Sequence, residues 1–118
     1  MGFSHYPKLD NCCFFAHDEA VPPDKPLVVY RRASSYTRLF YTIATDQPGE
    51  MEVAFTLEPA CKASEAHCYD AVDARSYKPG DSRLYFVICA GSWMRATYRN
   101  TSGQEQSFFR LRLWGSVF

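Results

Sequence analysis

The chain has 118 residues and 13.5 kDa, of which 47% are hydrophobic, 22% charged and 16% aromatic. A chain of this size buries about two-thirds of its extended surface on folding, so one core forms without obligatory staples, and the composition excludes disorder. Thirteen basic residues balance thirteen acidic ones. That excludes the basic composition of a dedicated nucleic-acid binder, and no apolar run approaches the roughly 18 residues of a membrane-spanning helix.

Residues 12–16 read as a short edge strand, followed by the stiff lead-in Val21-Pro22-Pro23-Asp24-Lys25-Pro26. Residues 27–32 form the first long strand. Within 36–45, Leu39, Tyr41 and Ile43 share one face and Phe40, Thr42 and Ala44 the other, the alternation of a half-buried strand. Residues 51–58 alternate again, apolar at odd positions and small or acidic at even ones. Between them Asp46-Gln47-Pro48-Gly49 has turn chemistry, with proline presetting φ and glycine accepting positive φ, so the pair predicts a hairpin.

Residues 59–82 break the pattern. Ala63, Ala66, Ala71, Val72 and Ala74 permit one short helix or a long loop, ending at the turn-like Lys78-Pro79-Gly80-Asp81. Residues 83–90 read as a central strand, apolar on both faces. Strands over 92–99 and 106–114 complete the set. The chain is therefore expected to be a single all-β domain, 1–118. Its class is an antiparallel β-sandwich or jelly roll, a cupin-like arrangement included, of six to eight strands. A β-barrel is the second architecture.

The last two strands carry the most informative side chains. Met94, Ala96 and Tyr98 face inward on one, and Phe109, Leu111 and Leu113 on the other. The outer faces carry Trp93, Arg95, Thr97 and Arg99, and Phe108, Arg110, Arg112 and Trp114. Paired as a hairpin with a loop at 101–104, Trp93 lies opposite Arg112, Arg95 opposite Arg110 and Thr97 opposite Phe108. Such a ribbon of guanidinium groups and rings suits a sugar, an anionic group or a protein partner. The alternative is a second sheet packed over the rings while the arginine stems run out to solvent. Arg95 facing Arg110 is unfavourable without an anion or an acidic neighbour. Residues 46–82, with a net charge of −5 against +4 for 83–118, supply candidates for that neighbour. The polar loop 100–105, with Gln104 in it and Gln106 just after it, forms the tip of the hairpin and a further contact site.

Five cysteines (Cys12, Cys13, Cys61, Cys68 and Cys89) leave at least one thiol outside any bridge. Cys89 reads as a buried, inert core thiol, and the other four make one or two disulfides of open connectivity. Cys12, Cys13, His17, Cys61, His67 and Cys68 are zinc-compatible, yet their spacings match no standard site, and disulfides with surface histidines are the better assignment. No metal or cofactor site is assigned. Asp70 with Asp73, and Glu50 with Glu52, read as solvated carboxylates rather than acid–base pairs. No phosphate loop, nucleophile elbow or metalloprotease helix is present, so no catalytic residue is assigned. Asn100-Thr101-Ser102 matches a glycosylation sequon, which has meaning only in a secretory pathway.

The small size, strand pattern, aromatic richness and cysteine use resemble those of mature secreted effectors of plant-pathogenic fungi, including rust-fungus avirulence effectors with β-sandwich folds. The resemblance covers the whole chain and has no diagnostic motif. It implies secretion, delivery into host cytoplasm, action through surface contact with a host protein, and detection by an intracellular plant immune receptor. In that reducing compartment the cysteines would be thiols. The leading functional expectation is thus a non-catalytic protein that binds a host protein. The alternative is a lectin-like module stacking Trp93, Trp114 and Phe108 on a glycan. A third is a small hydrolase or nuclease using His17 or His67. Neither a membrane nor a nucleic-acid partner is expected.

Overall fold

A computed structural model describes residues 13–56, 69–80 and 84–117. Among these the chain forms eight strands and no helix: β1 Cys13–His17, β2 Leu27–Arg32, β3 Arg38–Thr45, β4 Gly49–Thr56, β5 Asp70–Tyr77, β6 Leu84–Ile88, β7 Trp93–Asn100 and β8 Phe109–Ser116. They make two four-stranded antiparallel sheets, sheet A in the order β1-β8-β3-β6 and sheet B in the order β2-β7-β4-β5. Every connection except β4–β5 crosses from one sheet to the other. This is the strand order of a jelly roll, and the expected all-β sandwich is the fold observed.

The core lies between the sheets and comes from the alternation. Leu39, Tyr41 and Ile43 of β3 and Leu111 and Leu113 of β8 face Met51, Val53 and Phe55 of β4 and Met94, Ala96 and Tyr98 of β7, all buried. Each large side chain removed from water in this way contributes about 1.5–3 kcal/mol. Tyr98 and Phe109 meet across the layers with ring centroids 4.8 Å apart.

The predicted hairpin at 46–49 does not form. Strand β3 pairs with β6 and β8, and β4 with β5 and β7, so 46–48 is an arch between sheets. Alternation assigns each strand an inner face but not a partner; here the two inner faces oppose each other across the core. Gly49 is required for space rather than for positive φ, because a Cβ there would run into the Tyr98 hydroxyl and the Arg99 carbonyl.

Two further expectations are corrected. Residues 70–77 are strand β5 rather than helix or loop, an edge strand whose polar side chains one solvated border tolerates; of the rest of that expectation, 59–68 and 81–82 lie outside the described residues. Strand β6 is not central. It ends sheet A and leaves Leu84, Phe86 and Ile88 exposed at 61%, 43% and 67%. One side of the sandwich is closed by a polar seam, where the Tyr41 hydroxyl donates to Asp73 at 3.1 Å and the Arg75 Nε donates to the same carboxylate at 3.0 Å. Burial beside that carboxylate raises the Tyr41 pKa far above the usual phenol value. Asp73, read as solvated, is thus a structural carboxylate with a side chain 14% exposed.

Candidate binding site

The outer face of sheet B holds a groove of about 480 Å3, within the usual range for small-ligand sites. Strand β7 runs through its centre and points Arg95, Thr97 and Arg99 into it; β2 adds Val28 and Tyr30, β4 adds Glu50 and Glu52, and β5 adds Ala74 and Ser76. Register arranges these in rows across the strands. The middle row, Val28–Thr97–Glu52–Ala74, is low because three of its four side chains are short. Tyr30 and Arg95 stand along one border, and Arg99, Glu50 and Ser76 along the other.

Across β4, the residue opposite Arg95 is the fully buried Ala54, so the guanidinium reaches diagonally and its Nη2 donates to Glu52 at 3.3 Å. Tyr69, just before β5, packs on the same guanidinium at 5.3 Å and meets the Tyr30 ring edge-on at 5.7 Å. Arg95 is held by these contacts, with its side chain only 18% exposed. The buried Arg95 Nε and Tyr69 hydroxyl have no hydrogen-bond partner, and burial pushes the Tyr69 phenol up. The Arg99 side chain, at the opposite border, forms no ion pair or hydrogen bond among the described residues. The groove therefore presents a fixed guanidinium at one border, a free one at the other and carboxylate acceptors beside them.

The predicted ribbon is split between two surfaces. Inward residues are placed as expected on both strands, but β7 and β8 belong to different sheets. Trp93, Arg95, Thr97 and Arg99 face outward from sheet B, while Arg110, Arg112 and Trp114 face outward from sheet A. Trp93 pairs with Arg32, whose guanidinium lies 5.1 Å from its ring, at the far end of the face from Arg99. Arg112 is engaged by Asp18 through two bonds of 2.8 and 3.1 Å, and Phe108 is an exposed residue preceding β8. The acidic neighbour that Arg95 needs is Glu52, which does come from the 46–82 segment.

The loop at 101–108 differs from expectation as well. Gln104 is exposed, but Gln106 is 6% exposed, accepting from the Val21 N–H at 2.7 Å and donating to the Tyr98 hydroxyl at 3.4 Å. Asn100 is 4% exposed; its amide donates to the Val21 and Gln104 carbonyls and its oxygen accepts from Ser102. Asn100 of the sequon is therefore turned inward, with the amide nitrogen that would carry a glycan engaged by two carbonyls.

Of the zinc-compatible set, Cys12, Cys61, His67 and Cys68 lie outside the described residues. His17 stacks on Phe15 at 6.2 Å and meets Phe109 edge-on at 5.9 Å. Cys89 is half-buried rather than fully buried, with its thiol 3.3 Å from the Ala33 carbonyl. Sequence reasoning missed Val28, Tyr30, Glu50, Glu52 and Ser76 as members of one site. For Glu52 the signal was present in the small and acidic even positions of 51–58, which complement arginines on a paired strand.

No protein-family model and no curated protein matches this chain. Among solved structures, one described as the crystal structure of PirA superposes with a TM-score of 0.52 over 86% of this chain and 93% of that chain, at 9% identity. The chain is similar to PirA in fold. At that identity the likeness to PirA extends to the sandwich alone.

Proposed function

We propose that this domain is a non-catalytic binding module and that the groove of sheet B takes a carbohydrate. The observation that carries this reading is the interleaving of guanidinium donors and carboxylate acceptors in one concave site. Two acidic and two basic side chains line it, Glu50, Glu52, Arg95 and Arg99. A hydroxyl is both donor and acceptor, so a polyol satisfies such a mixed lining, whereas an apolar ligand leaves it unpaired. Tyr30 offers a ring edge beside this polar set, and Thr97 and Ser76 add hydroxyls. A neutral or weakly acidic oligosaccharide fits this chemistry better than a strongly anionic one, which Glu50 and Glu52 repel.

Contact with a host protein drew its surface from the combined ribbon of Arg and aromatic residues. Those residues lie on opposite faces of the sandwich, so a protein partner would meet Trp93, Arg95 and Arg99 on one face or Arg110, Arg112 and Trp114 on the other. The carbohydrate reading rests on Arg95 and Arg99 instead of the tryptophans. Isothermal titration calorimetry against neutral and uronic-acid oligosaccharides tests it. The expected result is saturable binding by the wild type, weakened roughly tenfold, about 1.4 kcal/mol, by Arg99→Ala. No heat with any oligosaccharide, or equal affinity in the variant, contradicts it.

A further inference from the structure

We propose that two copies of this chain associate through antiparallel pairing of their β6 strands, joining sheet A of each into one continuous eight-stranded sheet. Natural sheets blunt their edges with charges, prolines or bulges. Strand β1 is bulged between Cys13 and Phe15, β2 ends in Arg31 and Arg32, and β5 carries Asp70, Asp73 and Arg75 and is bulged between Ala71 and Asp73. Among the described strands β6 alone, Leu-Tyr-Phe-Val-Ile, has no such device.

The hydrogen-bond register selects a second copy as the occupant. Cys89 N–H donates to the Thr37 carbonyl at 3.0 Å, so in the same register Val87 faces Leu39 and Tyr85 faces Tyr41 as hydrogen-bonded pairs. The N–H and C=O groups of Leu84, Phe86 and Ile88 then point to the open edge. Antiparallel self-pairing about Phe86 sets Phe86 against its counterpart and Leu84 against Ile88 of the second copy. These are the residues whose backbone groups β3 does not engage, and the match yields about six new bonds. The same axis builds a row of rings across the junction, because Phe86 lies beside Phe40 (centroids 5.5 Å apart) and Phe40 beside Trp114 on the outer face.

Charge agrees with this axis. Arg75 of β5 lies 5.1 Å from the Tyr85 ring of β6, so both edges lie on one side of the sandwich and approach their counterparts together. Antiparallel about Phe86, β6 sets no like charges against each other, and the Asp73–Arg75 pair of each copy is already closed within its own β5. Five residues of β6 a side fall short of the 20–30 in a standard interface, which makes the dimer weak and concentration-dependent.

Sedimentation velocity from micromolar to millimolar protein tests this, with far-UV circular dichroism as the control for folding. The wild type is expected to pass from monomer to dimer, and Phe86→Lys to weaken association at least roughly tenfold by opposing two charges at the axis. Ile88→Lys and Leu84→Lys, at more exposed positions, give the same reading if Phe86→Lys does not fold. A wild type that stays monomeric throughout overturns the proposal. So does a dimer that all the folded lysine variants retain.

Discussion

Arg95 and Glu52 hold each other at 3.3 Å across β7 and β4 on the outer face of sheet B, and this pair joins the two halves of the groove. The arginine is anchored by Tyr69 behind it, so the carboxylate defines where its remaining donors point. Glu52 is 42% exposed, which limits the pair's value to stability. Glu52→Gln is expected to cost less than about 1 kcal/mol in urea unfolding. Its effect on oligosaccharide affinity is expected to be larger, since it removes an acceptor and frees the arginine. Equal losses in both measurements would assign the pair a structural role only.

Gln104 and Gln106 separate two kinds of loop position. Gln104→Lys is expected to change stability by no more than about 0.5 kcal/mol, because its side chain is exposed. Gln106→Lys is expected to cost about 2–3 kcal/mol, leaving the Val21 N–H without its acceptor. Chemical denaturation of both variants checks this; similar midpoints would contradict the buried assignment.

Asn100 ties the β1–β2 connection to the loop after β7. Asn100→Ala is expected to destabilise by about 2 kcal/mol. Folded protein from a glycosylating host is expected to show the unmodified mass at this site. A native, glycosylated Asn100 in the intact mass spectrum would contradict the geometry.

Asp46 accepts from the Ser107 N–H at 2.9 Å and from the Ser107 hydroxyl. These bonds hold its pKa at about 2, below the ordinary 3.8. A carboxylate whose pKa is lower when folded stabilises above its unfolded value and loses that contribution on acidification. Stability is therefore expected to fall as pH drops from 3.8 towards 2, with a shallower slope in Asp46→Asn. Identical acid-unfolding profiles would show that Asp46 is not linked to folding.

The faces of the strands were legible in the sequence and their partners were not. Alternation placed Leu39, Tyr41, Met94, Tyr98, Leu111 and Leu113 in the core because inward and outward positions differ in polarity within each strand. Pairing is information between strands. In a jelly roll most neighbours in sequence lie in different sheets, so the connections 46–48 and 101–108, which read as hairpin turns, misdirect. That is why Trp93 and Arg112 were placed together, and why Glu52 and Arg99 were not placed in one groove. Phe86 misled for a related reason. An apolar run reads as a buried central strand, and nothing local in 84–88 reveals an edge. Ala71, Val72 and Ala74 suit a helix, but pairing with β4 overrides that propensity.

The most direct test of the groove as the ligand site is a 1H–15N correlation spectrum recorded through an oligosaccharide titration. The expected result is that shifts concentrate at Val28, Tyr30, Glu50, Glu52, Ser76, Arg95, Thr97 and Arg99. Shifts concentrated instead at Phe40, Phe86 and Trp114, or no shifts at saturating sugar, would contradict it.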